Sequence, residues 1–211
     1  MSKIALTMIS RGKGEEANLQ QCLSTIAPFV DAIYITFTSS TNELKEAEKI
    51  VKSFERADCP VHISYGLFQW EATQEVVDWL TKFFGYEPHM KVGDKIFEFD
   101  KARNFNLSQV PKEYNWVIWL DTDDTLIGGE KLHELAKRCE EQNIEALCFN
   151  YLYQAEFDEQ GRVKHRIIEH LRERLLRNND TYKWISPIHE TLIEQRPSQK
   201  TDVPDCEVIH L

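Results

Sequence analysis

Two kinds of segment alternate along the first third of the chain. Residues 4–9 and 32–37 are unbroken apolar runs of strand length, and 60–65 reads as a third strand. Between them, residues 15–26 carry Ala17, Leu19, Cys22, Leu23 and Ile26 at helical spacing, ending before Pro28. Residues 43–54 place Leu44, Ala47, Ile50, Val51 and Phe54 on one helical face. Strand, helix, strand, helix, strand in that order predicts a doubly wound, mostly parallel sheet flanked by helices.

The alternation then breaks. Residues 70–86 have a helical pattern (Val76, Val77, Trp79, Leu80, Phe83, Phe84), followed by a loop with Pro88, His89 and Gly93. Residues 71–97 are expected to be a helical insertion or lid. A helix begins over 102–107, a strand runs over 116–120, and a helix over 131–142. Residues 146–154 are strand-like, with a turn at 158–161. The basic segment 165–177, the segment 182–188 and a closing strand over 206–211 complete the chain. Repeats and low-complexity linkers are lacking in the sequence, so one α/β domain is expected over residues 1–211.

Composition adds bounds. At 211 residues, 42% hydrophobic and 28% charged, the chain can bury a core without metal or disulfides. A net charge of -10 argues against nucleic acid or an anionic membrane as partner. The five cysteines form no CxxC pair and are odd in number, as expected of buried, reduced thiols in a cytoplasmic protein. The N-terminus enters a strand directly, without a signal-peptide pattern, and no stretch is long and apolar enough for a transmembrane span.

Candidate chemistry centres on Asp121, Asp123 and Asp124. Residues 116–120, Trp-Val-Ile-Trp-Leu, are apolar on both faces, as a central strand is, and the acids follow at once. Open α/β sheets bind ligands beyond the carboxyl ends of their strands. Mg²⁺ or Mn²⁺ commonly bridges one or two carboxylates to substrate phosphates, and three adjacent acids repel unless a cation joins them. A solvated acidic turn with an Asp at a helix N-cap is the alternative.

Residues 10–17, Ser-Arg-Gly-Lys-Gly-Glu-Glu-Ala, spell the glycine fingerprint of dinucleotide sites. Glu15 and Glu16 argue against it, because they occupy the helix N-terminus where a pyrophosphate would sit. Downstream, Arg103 could pair with a phosphate or fix an acidic ligand, or be a surface helix arginine. His189-Glu190 offers a metal ligand and a general base, and His210 a further ligand. Each of the three has an ordinary structural alternative.

Taken in order, four segments resemble the GT-A-type family-2 glycosyltransferases, in their cytosolic bacterial and phage form. Residues 4–9 with Glu15 to Leu19 and Cys22-Leu23 look like the opening strand, Asn-Glu-Glu loop and first helix. Residues 30–35 through Ser40-Thr41-Asn42 look like the second strand and its Gly-Ser-Thr-Asp loop. Residues 99–104 and 116–124 look like the Ala-Arg-Asn helix and the Asp-Ala-Asp strand. Arg174-Leu175-Leu176-Arg177 through Ile188-His189-Glu190 look like the late Arg-Leu-Phe-Arg and Val-His-Glu segments.

The resemblance implies a GT-A fold and an inverting transfer of a sugar from a nucleotide-sugar donor to an acceptor hydroxyl or thiol. The expected donor is a UDP-sugar; the acceptor class (saccharide, peptide or small molecule) stays open. By it, Asp121 and Arg103 would serve the nucleotide side, with Glu15 in the first loop. Asp123, helped by Asp124, would hold Mn²⁺ or Mg²⁺ against the diphosphate. His189 and His210 would contact metal or diphosphate, and Glu190 would be the base. Two positions depart from the pattern. Phe37 stands where the family has an Asp that reads uracil; it could stack on a base but accepts no N–H. The first loop is longer, and its Lys13 could reach a phosphate. Many relatives continue into helical repeats or an acceptor subdomain, a C-terminal extension that this chain would lack. A nucleotide-sugar-binding module without turnover and a sugar nucleotidyltransferase are the competing readings.

Overall fold

The computed structural model describes residues 2–40, 43–85 and 90–211. Thr41 and Asn42 of the second loop, and Pro88 and His89 of the insertion, lie outside the described residues. The elements are β1 (Ile4–Ser10), α1 (Glu16–Ile26), β2 (Ala32–Phe37), α2 (Lys45–Lys52), β3 (Val61–Tyr65), β4 (Gln69–Glu71), α3 (Gln74–Phe84), β5 (Lys95–Phe97), α4 (Phe99–Ser108), β6 (Trp116–Trp119), β7 (Asp124–Ile127), α5 (Leu132–Gln142), β8 (Ala146–Phe157), β9 (Val163–Arg177), β10 (Tyr182–Ile185), β11 (Thr191–Glu194) and β12 (Lys200–His210).

The central sheet has the strand order β3-β2-β1-β6-β9-β8-β12-β7. Only β9 and β7 run against the rest, so the sheet is mostly parallel, as expected. Side chains alternate between the faces of each strand. Ile4, Leu6 and Met8 of β1 therefore join Ile33, Ile35 and Phe37 of β2 under α1, α2 and α5. Ala5, Tyr34, Val117 and Trp119 face the other way, with Leu107 and Val110 at the end of α4 and Tyr182 and Trp184 of β10. Both faces of the central strands are dry, which is why the sequence shows unbroken apolar runs there. Fully burying a leucine such as Leu19 or Leu23 of α1 contributes roughly 1.5–3 kcal/mol.

The second half differs from its reading in the sequence. The basic segment is a 15-residue strand, β9, inserted antiparallel between β6 and β8. It forms a long hairpin with β8 around the Asp158–Gly161 turn, where Gly161 N donates to Asp158 O (2.9 Å). The closing strand starts at Lys200, six residues earlier than its apolar pattern suggests, because its first half borders β8 through polar positions. A short strand follows the acidic cluster: β7 pairs antiparallel with β12 at the sheet edge. Around the segment expected to be an insertion, β4 and β5 form a two-stranded antiparallel ribbon on either side of α3.

Candidate active site

The carboxyl ends of β1, β2 and β6 open onto a cleft of about 920 Å³. The loops after β1 and β2 give one side (Ser10, Arg11, Glu15, Thr38, Ser39). The acidic turn forms the floor, and Tyr151, Tyr153 and Arg172 of the β8–β9 hairpin give the far side. Leu67, Phe97 and Phe99, from the β4–β5 ribbon and its flanks, form an apolar rim. Arg103, Asp121, Asp123, Glu190 and His210 all line it, so residues from four separate segments meet at one place.

Helix α4 organises that meeting through three side chains. Asn106 donates to Thr36 Oγ1 (2.8 Å) and to Tyr34 O (3.1 Å), fixing the helix on β2. Asn104 accepts from Trp184 N (3.1 Å) and donates to Trp184 O (2.8 Å), so its amide holds β10 as a neighbouring strand would. Between them Arg103 is a clamp. Its terminal nitrogen donates to Asp121 Oδ1 (2.6 Å) and its Nε to Glu190 Oε1 (2.8 Å). The guanidinium is 8% exposed and is stacked against Trp119 and Trp184 at 4.9 and 4.8 Å. Burial works against its charge, but the two carboxylates win and raise its pKa above the ordinary value. Burial likewise acts to raise Asp121, and the Arg103 and Arg174 charges outweigh it, so Asp121 sits below the usual carboxylate range. Glu190 Oε2 has no protein partner among the described residues.

The acidic turn presents a second group. Asp121 N donates to Asp124 Oδ2 (3.0 Å), closing the turn from inside. Antiparallel pairing sets His210 of β12 opposite Asp124 of β7, and Leu211 N donates to Asp123 O (2.9 Å). As a result Asp123, Asp124 and His210 bring one ligand atom each within 4.8 Å of one another. His210 Nδ1 lies 3.5 Å from Asp124 Oδ1 and 3.6 Å from Asp123 Oδ1. Both Asp124 Oδ1 and His210 Nδ1 are buried without a hydrogen bond in the protein. With the ring neutral, these two facing atoms and the second carboxylate, Asp123, fit a divalent cation; with the ring protonated, they form an ion pair. Burial, then the Asp121 and Asp124 charges, raises the Asp123 pKa against the pull of His210. The facing Asp124 carboxylate, opposed by burial and helped by Asp123 and Asp121, raises that of His210.

Three expected residues take other places. Phe37 is fully buried and closed off by Leu44 and by Gly12, whose φ of +81° lets the loop lie flat on its ring. Its side chain points to the core face of β2, so it cannot stack on a bound base. Lys13 points away from the cleft to Glu43 (2.6 Å). His189 is exposed at φ 54° and joins neither the Asp123–Asp124–His210 group nor the cleft wall. Asp124 belongs to the ligand group, but it is also fully buried in an ion pair with Arg174 (2.9 Å). Glu15 reaches the cleft as expected. It holds the loop by accepting from Ser10 Oγ and Arg11 N, both at 2.9 Å. Sequence reasoning missed Tyr151, Tyr153 and Arg172. They lie in a strand whose alternation marks two faces without telling which one meets a cleft.

No protein-family model and no curated protein matches the chain. Among solved structures, it is similar to the S. aureus TarS fragment 1–349 in complex with UDP (13% identical, TM-score 0.47, covering 95% of this chain and 60% of that one). It is similar to the same fragment in complex with UDP-GlcNAc (12%, 0.43, 96% and 59%). A third similarity is to 4-diphosphocytidyl-2C-methyl-D-erythritol synthase from Anaerococcus prevotii DSM 20548 (12%, 0.44, 84% and 70%). The chain spans less than two thirds of the TarS structures. These likenesses are too distant to assign chemistry to any residue of the chain.

Proposed function

We propose that this chain is a GT-A-type, metal-dependent glycosyltransferase that moves a sugar from a nucleotide-sugar donor to an acceptor hydroxyl or thiol. The observation that carries the reading is that Asp123 and His210, which share a ligand group with the buried Asp124, line the same cleft as the Asp121–Arg103–Glu190 chain. A divalent ion held there would offset the charge that develops on a leaving diphosphate. Asp121, fixed by Arg103, would accept from the donor's hydroxyl groups. The loops after β1 and β2 would cradle the nucleoside. Glu190 keeps Oε2 for the acceptor: that oxygen takes the acceptor proton as the acceptor atom attacks the sugar carbon, and the bond to the diphosphate breaks. Attack from the face opposite the leaving group inverts the sugar carbon.

With Phe37 buried, the base is left to main-chain and loop contacts, and the nucleotide is open. UDP-sugars remain the first donors to try, with Mn²⁺ or Mg²⁺. Purified protein should show metal-dependent thermal shifts with a subset of nucleotide sugars, and slow hydrolysis of the same donor. Binding of no nucleotide sugar from the panel with either metal would sink the reading. A binding module without turnover is the second reading, favoured by the hold of Arg103 on Glu190. Binding without hydrolysis or transfer in acceptor extracts would select it. Pyrophosphate release from a nucleoside triphosphate and a sugar phosphate would select a nucleotidyltransferase, a reading that Lys13, paired with Glu43, does not support.

A further inference from the structure

Three arginines line the cleft, and they differ in what neutralises them. Arg11 Nε lies 3.7 Å from Glu15 Oε1. Arg103 is bonded to two carboxylates. Arg172 has neither an ion pair nor a side-chain hydrogen bond to the protein among the described residues. Its guanidinium rests on aromatic faces alone, 5.0 Å from the Trp119 ring centre and 5.9 Å from that of Tyr151. Arg174 occupies the same two rings at 3.9 and 4.3 Å, and Arg103 the Trp119 ring at 4.9 Å. Three guanidinium groups therefore surround one indole. Arg103 and Arg174 have acids, and Arg172 meets the open cleft. Burial and then the Arg174 charge disfavour its cation, an imbalance that a bound anion would relieve.

Position indicates which anion. In strand order, β9 and β8 lie beyond β6, on the side away from β1 and β2. In the proposed reaction the nucleoside takes the β1 and β2 loops and the diphosphate takes the acidic turn. The β8–β9 side is then left for the acceptor. Tyr153, half-exposed there, lies flat on His210 (ring centres 5.2 Å apart, 10° between planes) and offers an outer ring face to an apolar sugar surface.

We propose that Arg172 is the anion-binding residue of an acceptor site, and that the acceptor carries a phosphate or carboxylate close to its reacting group. The proposal rests on the glycosyl-transfer reading for the word acceptor, but the anion site itself can be tested apart from it. The chain is titrated with glycerol phosphate and, separately, with glucuronate by calorimetry, with and without saturating Mn²⁺ and UDP. The two arms tell a phosphate from a carboxylate site. At least one should bind saturably, about tenfold or more weaker in Arg172→Gln, with Arg172→Lys between the two because it keeps charge without the planar fork. UDP affinity in Mn²⁺ should stay within about twofold in both variants. Wild-type protein that binds neither anion overturns the proposal, as does equal anion affinity in Arg172→Gln. A tenfold loss of UDP affinity in the variants also overturns it, since Arg172 would then serve the donor. Anion binding through Arg172 without any nucleotide binding upholds the anion site and removes the glycosyl-transfer reading.

Discussion

Single side chains decide most of the chemistry at the acidic turn. Asp123 is the half-exposed member of the ligand group, so it can be removed without opening the core. Asp123→Ala should weaken Mn²⁺-dependent nucleotide binding by about tenfold or more, or roughly 1.4 kcal/mol, and leave the fold intact. Unchanged Mn²⁺-dependent affinity would refute its place as a ligand. Glu190→Gln keeps the size and one acceptor for Arg103 but loses the basic oxygen. Donor affinity should hold while transfer slows by about a hundredfold, within the usual range for a general base; full transfer activity would reject that role. His210 supplies a pH dependence. Its pKa is raised in the folded chain, so its charge stabilises the metal-free protein below its unfolded value of about 6.5. That contribution disappears as pH rises through the higher folded value. A cation needs the neutral ring, so its affinity moves the other way and increases with pH. The stability gap between wild type and His210→Gln, measured without metal, should therefore shrink from pH 6 to pH 8. A gap independent of pH would contradict this. Asp121 and Asp123 stood out in the sequence because they follow a buried strand at once, whereas Arg103 and Glu190 were set apart from ordinary structural residues only through the resemblance. The burial of Arg174 did not stand out, because Arg172-Glu173-Arg174 alternates charges as a solvated strand does.

At the level of elements, legibility followed burial. Strands β1, β2 and β6 are dry on both faces, and their apolar runs mark them to within a residue or two. Strand β7 escaped notice because it begins on Asp124, whose charge is hidden by Arg174 rather than by solvent. Yet β7 brings the ligand group together, since its register with β12 sets Asp124 against His210. Gly128 ends that strand at φ 83°, and a Cβ there would overlap the carbonyl oxygen of Asp205, in β12. Gly128→Ala must therefore both strain the turn and push β12 away. A loss of about 1–3 kcal/mol is expected, together with weaker Mn²⁺ binding. An unaltered denaturation midpoint would show that the turn relaxes freely. The helical pattern of α3 was also legible, but what it packs against was not, because amphipathicity does not identify the partner.

For the molecule as a whole, the sequence order of strands and helices predicted the layered α/β architecture, and the strand order of the sheet lay beyond it. Nothing local says that β9 enters between β6 and β8, because that choice is made by pairing across more than fifty residues. Among the described residues no helix is long and apolar enough to cross a membrane. The edge position of β7 has one more consequence. Among the described residues this four-residue strand has β12 as its only neighbour in the sheet, with its outer side covered by α1 through the bond from Leu126 N to Thr25 Oγ1 (3.1 Å). Short edges of this kind open before the rest of a sheet does. Opening here parts Asp124 from His210, so an ion bound between them must leave first. At a hundredfold excess over its dissociation constant, the ion would hold the edge shut by about 2.7 kcal/mol. Amide hydrogens of β7 and of the last residues of β12 should then exchange with solvent about a hundredfold more slowly in Mn²⁺. Equal exchange with and without the ion would mean that the two carboxylates and the imidazole do not share it. If they do, the metal is a latch on this border of the sheet as well as a participant in the chemistry, and withdrawing it would soften the chain from that border inward.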